Sequence, residues 1–122
     1  MTDPSCSSES HSLFAEGYFL TSDIMVWFWE QLRSSNEDNE DPCFNLTKFP
    51  NGLNNPKTLI ITAGFDPLCD EGEEYASILD KEGVEVEHIH YPNMFHGFVT
   101  MTKLKAAKFA AFDFLNDYKK IL

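Results

Sequence analysis

The sequence predicts an α/β fold centred on one parallel strand, helix, strand unit, and three observations lead to it. The apolar, β-branched run from Thr58 to Gly64 reads as a strand buried on both faces. The stretch that follows, from Asp70 to Gly83, opens on acidic residues and has apolar residues at helical spacing. From Val84 to Tyr91 the pattern alternates with a strand period. Two strands joined through a helix over this length are parallel, with a right-handed crossover.

Residues 1–13 are rich in Ser, Asp and Glu and predict a mobile lead-in or a surface loop. Residues 14–56 form a second segment, an aromatic helix followed by an acidic connection. Thr21 or Ser22 can cap that helix, Asp23 suits its first turn, and Met25, Phe28, Trp29 and Leu32 follow as a stripe. Ile24 and Trp27 lie off the stripe, so the helix needs cover on more than one side. The connection Ser34 to Pro42 lacks the ligand register, the central Gly and the closing Glu of a calcium loop. Turns are expected at Pro50, at Asn51-Gly52 and at Asn54-Asn55-Pro56.

Residues 57–122 hold the strand, helix, strand unit and a closing helix. Asp70 is expected to cap the first helix, with Tyr75, Ala76, Ile78 and Leu79 on its buried side and Gly83 as a left-handed stop. In the second strand Val84, Val86, His88 and His90 share one face, and Glu85, Glu87, Ile89 and Tyr91 the other. Faces so mixed in polarity suit a strand near a sheet edge, and Pro92 is expected to end it. From Thr102 to Leu122 a helix with Leu104, Ala107, Ala111, Leu115 and Tyr118 in one stripe should pack back on the sheet.

Twenty acidic against nine basic residues give a net charge of -11, which argues against nucleic acid or an anionic membrane as partner. No stretch has transmembrane length, and the first residues lack the order of a signal peptide. Cys6, Cys43 and Cys69 show neither metal spacing nor a disulfide framework, which suggests a reducing, cytoplasmic setting.

Asp66 follows the first strand beside Pro67, and His96 follows the second. In parallel strands both loops open on the same sheet edge, where open α/β folds keep their chemistry. An acid and then a histidine in that order fit the later part of a Ser, Asp, His triad. The residues alone leave a second reading open, an Asp-Pro turn and a lone loop histidine. Asp70 and Glu71 suit a helix start better than an acid role. Cys69 has no strained elbow to present it as a nucleophile. His88 and His90 lie two apart on one face, but with no third ligand placed no metal is expected, and no cofactor either.

The stretches EGYFLTSDIMVWFW, ITAGFDPLCDEGEEYASIL and EGVEVEHIHYPNMFHGF, with the closing helix, resemble the carboxyl-terminal part of the hormone-sensitive lipase family of α/β-hydrolases, which are carboxylesterases and lipases. The resemblance runs from about Ala15 to the end, and D-P-L-x-D-E-G and H-G-F occur in family order. It implies a partial α/β-hydrolase fold, with Asp66 as triad acid and His96 as triad base. It further implies that the aromatic helix is cap-like, with Phe14, Tyr18, Phe19, Trp27 and Phe98 beside a small-molecule ester substrate. Met1-Thr2-Asp3 resembles the end of the P-x-T-D segment that closes the preceding core strand.

The sequence contains no G-x-S-x-G elbow and no H-G-G-G oxyanion motif. The chain therefore reads as a portion of such an enzyme, with little or no hydrolysis on its own. A non-catalytic remnant that binds or self-associates through an exposed sheet edge is the alternative.

Overall fold

The computed structural model describes residues 1–48 and 55–121. The turns expected at Pro50, Asn51-Gly52 and Asn54 lie outside the described residues. In chain order the elements are α1 (Glu9–Leu13), α2 (Ser22–Leu32), β1 (Thr58–Phe65), α3 (Cys69–Lys81), β2 (Val86–Phe95) and α4 (Lys105–Ile121). Short 3-10 turns lie at Asn36–Glu40, Leu46–Lys48 and Phe98–Thr100. Strand β1 pairs in parallel with β2, as the strand, helix, strand order predicted, from Thr58 beside Val86 to Ala63 beside Tyr91.

Helix α3 connects the strands and covers one sheet face. Its start differs from the expectation: the helix begins at Cys69, Leu68 is the N-cap, and Asp70 lies inside the first turn. Gly83, at φ 84°, ends the helix as predicted. The Gly83 and Val84 amides donate to the Asp80 and Leu79 carbonyls, the paired bonds of a Schellman cap. Ala76 and Leu79 are buried.

Strand β2 runs past Pro92 to Phe95, longer than expected. Between the Ala63–Tyr91 and Phe65–Phe95 pairs, β2 takes four steps while β1 takes two. Such a bulge suits a proline, which has no N–H for the ladder. Gly64 makes room for it. A Cβ there would lie 2.3 Å from the Pro92 carbonyl oxygen.

On the opposite face Ala63, Phe98, Ala107 and Ala110 form a core, with Ile61, Tyr91, Met94 and Met101 around it. Helix α4 reaches this core through small side chains. Of the predicted stripe only Ala107 and Ala111 are buried, while Leu104, Leu115 and Tyr118 are exposed. The same holds for α2, where Met25 and Trp29 are buried but Phe28 and Leu32 are not. Trp29 packs on Phe44 at 4.9 Å between ring centroids.

The lead-in packs against the start of α3. Ser8 caps α1, and Ser10 and His11 are buried. Ser10 N–H donates to Asp70 Oδ2 at 2.7 Å and Ser10 Oγ donates to the Pro67 carbonyl at 2.7 Å. Thr2 N–H donates to Glu71 Oε1 at 2.8 Å. Burial raises the Glu71 carboxyl above the usual carboxylate range, and the bond from Thr2 opposes that rise.

Candidate active site

Phe65 and Phe95 are the last register partners of the two strands. The next residue of each chain, Asp66 and His96, therefore leaves the sheet at the same edge. Their side chains meet, with His96 Nδ1 2.9 Å from Asp66 Oδ2. A carboxylate can only accept, so Nδ1 donates, and in the neutral ring that tautomer leaves Nε2 with a free lone pair.

The other carboxylate oxygen has its own task. Leu68 N–H donates to Asp66 Oδ1 at 2.9 Å, and Cys69 N–H donates to the Asp66 carbonyl at 3.0 Å. This is the Asx turn that the Asp-Pro sequence favours. Turn and pair are thus compatible, one oxygen serving each. Ser10 ties the same loop from outside through Pro67 and Asp70. Asp66 is almost covered, with 11% of its side chain exposed, while His96 exposes 38%. The acid is fixed and shielded; the imidazole can reach a reactant.

Gly97 follows the histidine at φ 75°, a left-handed conformation that a side chain would strain. It turns the chain into the Phe98–Thr100 segment. Asp66, His96, Gly97 and Phe98 line a cleft of about 350 Å³ together with Ile61, Ala63, Val99 and Phe114. Phe98 is 4% exposed and packs on Tyr91, so it forms a wall of this cleft and part of the core at once.

Three of the aromatic candidates gather on Phe65 and Phe95, the residues just before the pair. Tyr18 stacks on Phe65 at 5.3 Å, Phe14 meets both rings edge-on, and Phe19 lies 6.4 Å from Phe95. Phe19 is 68% exposed and has φ 75°. A left-handed aromatic residue carries backbone strain of about 1–3 kcal/mol. Gly17, Tyr18, Phe19, Phe95 and Met101 line a second, almost wholly apolar cavity of about 450 Å³. Trp27 is not part of this group; it rests on Phe28 at 5.2 Å on the outer side of α2.

Phe65 and Phe95 were not among the sequence candidates. Their signal was present, an aromatic residue directly before each loop residue. His88 and His90 share a partner: Nε2 of His88 and Nδ1 of His90 each lie 2.9 Å from Thr62 Oγ1. Burial, followed by the Glu73 and Asp70 carboxylates, pushes the Cys69 thiol up to about 11. A neutral, covered thiol does not act as a nucleophile.

An acid and a histidine joined at the carboxyl ends of parallel strands is the arrangement that α/β-hydrolases use for two members of their triad. The sequence matches the family described as alpha/beta hydrolase fold over residues 1–100, and the chain belongs to that family. Among curated relatives, the carboxylic ester hydrolase LipN of Mycobacterium tuberculosis is 39% identical over 106 residues, covering 84% of this chain and 28% of its own length. The ethyl acetate hydrolase of Pseudomonas putida is 33% identical, covering 83% of this chain and 32% of its own length. Of solved structures, an α/β-hydrolase enzyme from the metagenome of Lake Arreo superposes with TM-score 0.79 at 37% identity. It covers 89% of this chain, which spans 35% of that one. The chain thus spans about a third of the length of the proteins it matches.

Proposed function

We propose that this chain is the acid- and histidine-bearing, carboxyl-terminal portion of a serine carboxylesterase of the hormone-sensitive lipase family, acting on short to medium acyl carboxylic esters. The observation that carries this is the 2.9 Å contact between His96 Nδ1 and Asp66 Oδ2 at the shared strand edge. In the completed site, Nε2 of His96 takes the proton of a serine hydroxyl as it attacks the ester carbonyl, then returns it to the leaving alcohol. Asp66 holds the tautomer and stabilises the imidazolium, while its Leu68 bond fixes the carboxylate plane. Phe14, Tyr18 and Phe19 are assigned to the acyl side of the substrate, and the apolar cavity that Tyr18 and Phe19 line beside Phe95 supports a small hydrophobic group there.

No helix among the described residues is long and apolar enough to cross a membrane. The unpaired Cys6, Cys43 and Cys69 support a cytoplasmic setting. With no nucleophile elbow in the sequence, the chain alone is expected to hydrolyse p-nitrophenyl esters at background rate. Joined to an upstream segment that supplies the elbow serine and oxyanion loop, it is expected to become active. An inactive joined protein, or one whose His96→Ala variant keeps its rate, contradicts the proposal.

A second reading rests on a separate observation. Among the described residues β1 pairs only with β2, so one edge of β1 has no strand beside it. Phe109, Phe112 and Leu115 on α4 and Leu104 just before it are exposed. An open strand edge with uncovered aromatics supports self-association of the chain. Sedimentation of a dilute monomer with a cooperative melt would count against it.

A further inference from the structure

The α3-covered side of the sheet holds a group of side chains that the acid–base pair does not use. Cys69 opens α3, Glu73 lies one turn later on the same helix face, and His90 comes from β2 beside Thr62. Their donor atoms form a closed triangle. Cys69 Sγ is 3.7 Å from Glu73 Oε1 and 4.0 Å from His90 Nδ1, and His90 Nδ1 is 3.6 Å from Glu73 Oε1. All three lie within 4.8 Å of one another. Zinc bond lengths at a tetrahedral angle put sulfur, nitrogen and oxygen ligands about 3.4–3.6 Å apart. The triangle needs to contract by a few tenths of an ångström, which rotation of two partly exposed side chains supplies.

We propose that Cys69, Glu73 and His90 form a binding site for one tetrahedral divalent cation of zinc type, distinct from the Asp66–His96 cleft. A sulfur, an imidazole nitrogen and a carboxylate oxygen are the donor set that zinc takes in preference to magnesium or calcium. Thiolate and carboxylate together carry two negative charges, which a divalent ion neutralises. Binding releases one proton, that of the Cys69 S–H. Cys69 is buried and closes the inner side, while His90 and Glu73 expose 37% and 48% of their side chains. The outer side stays open for ion entry and for a water as fourth ligand. Thr62 Oγ1, now 2.9 Å from Nδ1 of His90, gives up that contact and keeps His88. A cation here ties the start of α3 to β2 and so braces the turn that carries Asp66.

Cobalt(II) is the direct probe, because a thiolate ligand adds an intense charge-transfer band that oxygen and nitrogen ligands do not. The whole chain is expected to bind one Co2+ with that band and to release it to one equivalent of Zn2+. Cys69→Ser is expected to lose the band. Cys69 is buried, so His90→Ala and Glu73→Gln, at partly exposed positions, keep the test independent of folding. Changing an outer partner of a metal ligand typically weakens binding about 10–100-fold, and losing a ligand itself should cost no less. His88→Ala is expected to leave affinity unchanged. Co2+ binding without the thiolate band, no stoichiometric binding, or parental affinity in His90→Ala and Glu73→Gln would overturn the site.

Discussion

Replacing Gly64 by alanine tests how the strand ends are held in place. An alanine Cβ would lie 2.3 Å from the Pro92 carbonyl oxygen and 2.8 Å from its carbonyl carbon and Cα. Real Cβ atoms essentially never come closer than 3.0 Å, so β1 and β2 must separate by at least about 0.7 Å there. Every contacting atom is backbone, so no rotamer change relieves the clash. Overpacking of this kind costs about 1–3 kcal/mol, which for a domain of this size lowers the melting temperature by roughly 4 °C per kcal/mol. Asp66 follows two residues later and His96 four residues after Pro92. In the joined enzyme a misplacement near 1 Å at the reacting groups can cost about 100-fold in rate. Thermal melting followed by circular dichroism checks the first effect and ester hydrolysis the second. A Gly64→Ala chain that melts with its parent would refute the bulge as the device that aligns the two loops.

Met25→Ala should destabilise the chain by about 2–5 kcal/mol as a buried side chain is lost, whereas Leu32→Ala, on the exposed part of the predicted stripe, should stay within about 0.5 kcal/mol; denaturant midpoints measure both. Glu71 has its carboxyl raised by burial, so its stabilising contribution is full below the ordinary glutamate range and is lost as pH rises through the elevated value. Melting temperatures from pH 4 upward should therefore fall in the parent relative to Glu71→Gln, and a difference constant with pH would contradict that burial. With no metal added, a thiol reagent near neutral pH should modify exposed Cys43 promptly and buried Cys69 only slowly. Peptide mapping reads this, and fast labelling of Cys69 would argue against the α3 packing.

The strand period and the position of Asp66 and His96 after each strand were legible because both depend on local pattern. Patterns do not carry what tertiary partners decide. Residues 1–13 are mostly polar, and nothing in their composition reveals that Ser10 will bond Pro67 and Asp70, 57 and 60 residues away. Pro92 reads as a stop, yet the missing side chain of Gly64 lets the ladder resume at Phe95. The stripe on α4 is periodic enough to predict a buried face, but only its alanines meet the sheet, since burial of the larger residues needs a surface to cover them. Cys69 and His90 drew notice in the sequence only separately and Glu73 not at all, because a helix start and a strand must first be packed together before their donors converge.

The most direct test of the whole reading is the rate of ester hydrolysis by the joined protein carrying Asp66→Asn. The substitution keeps the size of the side chain but removes the charge and the tautomer control at His96 Nδ1. If the pair works as the acid and base of a triad, kcat should drop by about 10⁴-fold with the fold intact. A variant that stays folded and hydrolyses within a few-fold of its parent would mean that the contact is structural and the catalytic assignment wrong.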